Sequence, residues 1–428
     1  MELLQTILAL LVTLGILVTV HEAGHFFLAR YFGVRVLRFS LGMGPVLWRR
    51  QGADGTEFAL SLLPIGGYVK MLEGEADGIA SAPRQRAFSE THPAARIAIA
   101  LGGPVANLLL ALLVYWVLFV SGVTGLVPYV KALEGAEGPA VGARILAVDG
   151  QETPSWNAVN EALVRRLGES GRITFTLEGE RGPWTLERPI ERWLADAEAP
   201  QFLAELKLEP SYPVVLGRIL EDSPAETAGL RPGDRITAVN GQLVEHWPAF
   251  VKAVQAAGSE TLTLDLERDG EARRLTIRPR LEEGKGFVGV GPAYAVQRWG
   301  PGEAVGQALL ATWDKTAMTL GLVKKMVQGL VSTSNLSGPI TIAKVAGDSA
   351  KSGAETFLGF LALLSVSRAD LHLLPIPVLD GGHVVLHLLE WVRGAPLPER
   401  VQALGVQVGL MLVVSLMALA LINDFSRL

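Results

Sequence analysis

From Leu3 to Val20 the chain carries no charged residue, and with the five positions that follow it makes one helix-like segment long enough to cross a bilayer. Stretches of the same character recur at 96–121, 356–379 and 403–422, so the pattern predicts four transmembrane helices. Between the first two, Phe58-Ala-Leu-Ser-Leu62 alternates with the period of a strand. Gly42-Met-Gly-Pro45 and Pro64-Ile-Gly-Gly-Tyr68 mark bends or close backbone approaches around it. A plain surface hairpin satisfies this pattern; so does a strand whose free edge pairs with an extended substrate.

The long segment between the second and third spans repeats itself. Gly142-Ala-Arg-Ile-Leu-Ala-Val-Asp-Gly-Gln151 matches Gly233-Asp-Arg-Ile-Thr-Ala-Val-Asn-Gly-Gln242, and Trp156 and Trp247 follow at equivalent offsets, each opening a helix-like stretch. Ser223 to Pro232 precedes the second copy; the first copy has Ala143 where the second has Asp234. Beyond the repeat, Leu310, Trp313, Leu320, Val323 and Met326 form an apolar stripe beside Asp314, Lys315, Lys324 and Lys325, as in an amphipathic helix lying on the membrane or on the repeated modules. The expected architecture is a multi-span α-helical membrane protein with a membrane-associated β-hairpin and two inserted α+β modules. Its parts are an N-terminal membrane half (1–121), the modules (122–207 and 208–295), a helical linker (296–354) and a C-terminal membrane half (355–428).

Composition agrees with this mixture. The chain is 49% hydrophobic and 19% charged, with mean hydropathy +0.33, too apolar for an ordinary soluble protein and too charged for one wholly inside the bilayer. A formal charge of −5 without a basic block gives no sign of nucleic-acid binding, and the lack of cysteine excludes disulfides and thiolate metal sites. Met1-Glu2 lacks the basic start of a signal peptide and no A-x-A site ends the first run, so that segment is expected to remain as a span. Arg30, Arg35, Arg38, Arg49, Arg50, Arg84, Arg86 and Arg96 lie between the first two spans, and Arg393 and Arg400 between the last two. The positive-inside rule puts those loops in the cytoplasm, and both termini and 122–355 outside.

The chemistry sits at the end of the first apolar run, in His21-Glu22-Ala-Gly-His25. Positions i and i+4 share a helix face, so two imidazoles can meet one Zn²⁺ while Glu22 takes a proton from water beside it. Ionisable groups in an apolar span are costly unless they pair, bind metal or face water. A catalytic zinc needs a third protein ligand. Asp380, in Pro375-Ile-Pro-Val-Leu-Asp-Gly-Gly-His383, is the leading candidate, because Pro375 and Pro377 break the helix there and Gly381-Gly382 permit a close turn. His383, just past the turn, is the alternative.

These motifs carry two resemblances. The repeat, with its Ser223–Pro232 lead-in, resembles PDZ domains, which bind peptide ends or extended strands. HEAGH, GMGP, PIGGYVKM, Gly102-Gly-Pro-Val-Ala-Asn107, Leu336-Ser-Gly-Pro-Ile340, LDGG and the closing Asn423-Asp-Phe-Ser-Arg-Leu428 resemble the site-2 protease family of intramembrane zinc metalloproteases, over nearly the whole chain. The resemblance implies that His21, His25 and Asp380 bind zinc and that Glu22 is the general base. It implies a bacterial inner-membrane protein that cuts single-span membrane proteins within the bilayer, such as an anti-sigma factor already trimmed outside. Signal-peptide remnants are a further substrate class, and the PDZ pair acts as a size filter or holds peptide ends. Gly66, Gly67, His372, Pro375 and Pro377 are expected to hold the substrate extended.

One stretch departs from the family pattern. Where the family has a small uncharged run ending in Asn, this chain has Ser367-Arg-Ala-Asp-Leu-His372. Arg368 and Asp370 stand two apart and do not face each other on a helix, so neither neutralises the other. His372 replaces an amide expected to hold substrate backbone or the developing oxyanion; an imidazole there can still donate a hydrogen bond, or can reach the zinc as an unwanted ligand. The rival reading is therefore a membrane PDZ adaptor with an impaired zinc site.

Overall fold

The computed structural model describes residues 2–73, 87–133, 143–179, 182–195, 202–206, 208–211, 213–268, 270–282 and 284–426. Arg84, Arg86, Gly142, Arg427 and Leu428, used in the sequence reading, lie outside the described residues. The chain divides into two compact units: Met1–Gly122 with Arg298–Lys324 and Thr333–Leu428, and Val123–Gln297 with Lys325–Ser332.

The first unit begins with α1 (Glu2–Tyr31), the antiparallel pair β1 (Val36–Gln51) and β2 (Glu57–Met71), and α2 (Pro93–Ser121). Helix α2 starts where the His92 ring accepts from the Ala94 amide at 3.2 Å and Pro93 takes a first-turn position. It ends at Gly122, whose φ of +100° no helix tolerates. α1 and α2 touch through glycine: a Cβ on Gly102 would lie 2.7 Å from the Gly24 carbonyl oxygen, and one on Gly24 would strike the Gly102 carbonyl. Small residues of this kind let membrane helices approach closely. In the hairpin, Ser40 pairs with Tyr68 and Leu41 with Gly67, while Gly42, Gly44 and Gly66 adopt positive φ, the bends the glycine-rich motifs predict. Phe26 of α1 packs edge-on against Phe39 and Phe58 and ties the hairpin to the helix.

The second unit holds one topology twice. Its first half contains β3 (Val123–Leu126), β4 (Tyr129–Leu133), β5 (Ala143–Val148), β6 (Gln151–Glu152), α3 (Trp156–Arg165), β7 (Gly171–Gly179), β8 (Gly182–Ile190), α4 (Phe202–Glu205) and β9 (Leu208–Ser211). The main sheet runs β8-β7-β5-β4-β9, with β6 beside β5. The second half contains β10 (Val214–Ile219), α5 (Pro224–Thr227), β11 (Arg235–Val239), β12 (Gln242–Leu243), α6 (Trp247–Ala257), β13 (Leu262–Arg268) and β14 (Glu271–Ile277). β15 (Arg280–Glu282), β16 (Lys285–Phe287), β17 (Val290–Pro292) and β18 (Tyr294–Gln297) complete it. Its sheet runs β14-β13-β11-β10-β17 with β12 beside β11, the same order as the first. The turns at the repeat's centre also match: Asp149-Gly150 and Asn240-Gly241 all have φ near +50° to +79°, the hairpin geometry that Asp-Gly and Asn-Gly favour. Each half closes on its own core, around Trp156, Val159 and Phe175 in one and Ile236, Phe250 and Leu264 in the other.

The aspartate that the first copy lacks is the electrostatic centre of the second. Asp234, wholly buried, accepts from Arg268 Nε at 2.6 Å and Nη2 at 2.7 Å and from the Arg231 amide at 2.8 Å, while Arg268 Nη2 also donates to the Gly229 carbonyl. Burial alone would push the Asp234 carboxyl up, but the Arg268 guanidinium and the Arg231 N–H outweigh it and hold it below the usual carboxylate range. Its contribution is therefore present above the unfolded pKa of about 3.9 and lost as pH falls through the lower folded value. Asp234→Ala leaves Arg268 buried without this partner and is expected to destabilise the second half by about 3–5 kcal/mol. Hydrogen exchange should show protection lost in β11 and β13 while α1 and α2 are unchanged; unaltered protection in β11 would contradict the assignment.

The first unit resumes with α7 (Pro301–Val327), α8 (Pro339–Lys351), α9 (Ala354–His372), α10 (Asp380–Arg393) and α11 (Glu399–Ser426). The stretch 296–354 thus holds two helices, α7 and α8, separated by a short 3-10 turn at Thr333–Asn335, and Leu310 and Trp313 of its stripe stand exposed on α7. Asp424, near the end of α11, caps α8 by accepting from the Gly338 and Ile340 amides and the Thr341 hydroxyl. Asn423 donates to the Thr333 carbonyl, so the closing Asn-Asp pair is a fastener between α11 and the Leu336–Ile340 motif.

Three described helices are long and apolar enough to cross a membrane: Leu3–Tyr31, Pro93–Ser121 and Glu399–Ser426. The expected span at 356–379 is not one helix. α9 carries Glu355, Arg368 and Asp370 and stops at His372, the Pro375-Ile-Pro377 segment is non-helical, and α10 begins on Asp380.

Candidate metal and proteolytic site

Helix α1 presents His21 and His25 one turn apart, and the break after α9 brings Asp380 to them. His21 Nε2 lies 3.1 Å from Asp380 Oδ2, His25 Nε2 lies 3.5 Å from Asp380 Oδ1, and the two imidazole Nε2 atoms are 3.3 Å apart. Donors around a tetrahedral zinc with bonds of about 2.0–2.1 Å stand roughly 3.3 Å from one another. The three sequence-predicted ligands therefore stand at separations suited to sharing one such ion, with His21 and His25 each nearest a different oxygen of Asp380.

Helix α2 sets the direction of both rings. His25 Nδ1 is 2.8 Å from the Ile99 carbonyl, which fixes the proton on Nδ1 and leaves the Nε2 lone pair for a metal. Asn107, buried, stands with Nδ2 3.3 Å from His21 Nδ1 while its Oδ1 has no partner among the described residues. Turned over, the amide oxygen accepts Nδ1–H, and His21 Nε2 is freed in the same way. The backbone of Asn107 is held in turn by Ser365 of α9, whose hydroxyl donates to the Asn107 main-chain carbonyl at 2.8 Å. Gly103 completes the cradle. A Cβ there would fall 2.6 Å from His21 Nε2 and against His25 Nε2, in the space a shared ion needs. The donor set, its spacing and the room that the missing Cβ of Gly103 leaves beside both imidazoles all fit zinc.

Glu22, 7% exposed, opens with His21, His25, Asp380, Gly66 and Gly67 onto one cleft of about 900 Å³. Gly67 passes so close that a Cβ on it would lie 2.8 Å from Glu22 Cγ and 2.7 Å from the Ser40 carbonyl oxygen. β2 thus runs along the cleft with its backbone against the acid. Val378, also lining the cleft, is held at φ +113°, a conformation β-branched residues rarely adopt, two residues before Asp380. Gly381 and Gly382 have no room for a Cβ against the carbonyls of Leu373 and Ile376, which is the close turn that the sequence predicts.

The divergent stretch splits between two faces. Arg368 and His372 line the cleft, whereas Asp370, buried, turns to Thr316 and Thr319 of α7. His372 Nδ1 stands 2.9 Å from Asp380 Oδ2. His383 also borders the cleft, but its ring lies against His387 at 6.3 Å between centroids, and among the described residues the close donor group of His21, His372 and Asp380 does not include it. Pro375 and Pro377 lie in the non-helical segment; Pro377 meets α11, where a Cβ on Gly409 would strike its carbonyl. The residues that sequence reasoning left without a role are Ile99, Gly103 and Asn107; the Gly-Gly-Pro-Val-Ala-Asn motif signalled Gly103 and Asn107, and nothing in the sequence signalled Ile99.

Comparison with known proteins decides the family. The pattern of Peptidase family M50 matches residues 9–416. The chain belongs to this family. "Regulator of sigma-E protease RseP" of Escherichia coli (strain K12) is 40% identical over 98% of this chain and 98% of its own length. "Protease RseP" of Yersinia pestis is 38% identical over the full length of both. A Vibrio cholerae protein named "Putative zinc metalloprotease" is 37% identical, again over the full length of both. This M50 member is a zinc metalloprotease with apolar helices long enough to cross a membrane and inserted sheet domains.

Proposed function

We propose that the chain cuts single-span membrane proteins inside the bilayer of a bacterial inner membrane, with anti-sigma factors already trimmed outside as the natural substrate class. The observation that carries this is a single one: Glu22, His21, His25 and Asp380 face one cleft, and the first three project from an apolar helix long enough to span a membrane. In this reading α9 and the break after it supply a fourth crossing at 356–379, whose polar backbone is tolerated because it lines the cleft. The two sheet domains are PDZ domains outside, where peptide ends and bulky external domains meet them. Both termini lie on that side, and the β1–β2 hairpin and the exposed stripe of α7 rest against lipid.

Zinc, when bound, polarises a peptide carbonyl and lowers the pKa of water to about 7. Everything else falls to side chains and backbone of this chain. His21, His25 and Asp380 hold the metal, with Ile99 and Asn107 fixing the imidazoles. Glu22 takes the proton from the attacking water and hands it to the leaving nitrogen. A helical substrate hides its amides in its own hydrogen bonds, so it must first be drawn out. In this reading the Gly66-Gly67 segment of β2 and residues 372–378, whose Pro375 and Pro377 keep that stretch out of a helix, hold it extended. Gly66, Gly67, His372 and Val378, lining the same cleft, support this. The test is a purified, detergent-solubilised single-span substrate lacking its external domain. Cleavage by the zinc-loaded chain is expected; bound zinc with every such substrate intact favours the adaptor.

A further inference from the structure

His372 occupies a place in the cleft that holding substrate does not explain. Its Nδ1 is 2.9 Å from Asp380 Oδ2, and that oxygen is 3.1 Å from His21 Nε2. The His372 and His21 rings meet edge-on with centroids 4.5 Å apart. Donor atoms of His21, His372 and Asp380 all lie within 4.8 Å of one another. Three successive separations, His372 Nδ1 to Asp380 Oδ2, Asp380 Oδ2 to His21 Nε2 and His21 Nε2 to His25 Nε2, are 2.9, 3.1 and 3.3 Å, close to the roughly 3.3 Å donor spacing of a tetrahedral zinc site. An amide in this position would be a poor zinc ligand, whereas an imidazole is a good one.

We propose that His372 is a fourth protein ligand to the zinc of this chain, closing the site at rest as three histidines and one aspartate. The proposal rests on the zinc-protease reading and adds a control to it. Zinc with four protein ligands is the arrangement of structural sites, and a catalytic zinc keeps one position open. Hydrolysis therefore requires His372 to withdraw. Its position permits this: it is the last residue of α9, and the non-helical segment that follows contains the strained Val378. A substrate strand laid along 372–378 competes for the same space. Entry of substrate thus opens the metal, and an empty cleft keeps it shut. The simpler alternative is that His372 only donates a hydrogen bond to Asp380 and orients it.

X-ray absorption at the zinc edge on the full-length, zinc-loaded chain in detergent separates the two, because imidazole scattering counts the histidines bound. Three imidazoles per zinc are expected in the wild type and two in His372→Asn. Two in the wild type overturns the proposal while leaving the zinc site standing. A wild type that binds no zinc overturns both readings. In Glu22→Gln, which holds substrate without cutting it, a saturating trimmed single-span substrate should lower the count from three to two. A count that stays at three would show that substrate does not displace His372. Reading wild type alone already decides the ligand question, so a His372→Asn chain that fails to fold does not blunt the test.

Discussion

Glu22→Gln is expected to bind zinc as the wild type does and to lose cleavage of a single-span substrate by about 10²–10⁴-fold, the range that positioned general bases contribute. That loss corresponds to about 2.7–5.4 kcal/mol in the barrier. The amide has the shape of the acid and fills the same place beneath Gly67. It cannot take a proton. His21, His25 and Asp380 keep their spacing of 3.1 to 3.5 Å, so metal content measured by mass spectrometry should stay at one zinc per chain. Turnover within a few-fold of the wild type would remove Glu22 from the role.

Gly103→Ala is expected to be nearly as severe while replacing neither ligand nor base. The added methyl would sit 2.6 Å from His21 Nε2 and 2.7 Å from His21 Cε1, closer than real Cβ atoms approach anything. Both imidazoles must turn away, and the methyl takes the volume between them. Displacement of about 1 Å in a catalytic group costs on the order of 10²-fold. Zinc affinity should fall with it, since even outer partners of zinc histidines are worth about 10–100-fold. Helix content should remain, because α2 gains a better helix former at that position. Full zinc occupancy with wild-type turnover would show that α2 does not wall the site.

Much of this site was legible in order along the chain. Histidines four apart predicted a shared helix face, and the prolines before Asp380 predicted the broken backbone that delivers it. Legibility stopped where a partner comes from another element. Nothing local to His21 or His25 points to Asn107 or to the Ile99 carbonyl, because the crossing of α1 and α2 that joins them depends on Gly24 and Gly102 meeting. Asp234 was visible as a difference between the two copies; its partner Arg268, 34 residues later, was not. The stretch 356–379 is not one continuous helix because Pro375 and Pro377 end α9 before Asp380, the break the prolines predicted. That Arg368 and Asp370 would part, one to the cleft and one toward α7, required the faces of α9 to be seen.

The account stands most directly on where the substrate is cut. A trimmed single-span protein is incubated with the zinc-loaded chain in detergent, with a chelated sample and with the chelated sample restored by zinc, and the products are sized by mass spectrometry. One cut inside the apolar segment, lost on chelation and regained with zinc, is the predicted result. An intact substrate beside full zinc occupancy, or cuts confined to residues outside the apolar segment, would contradict it.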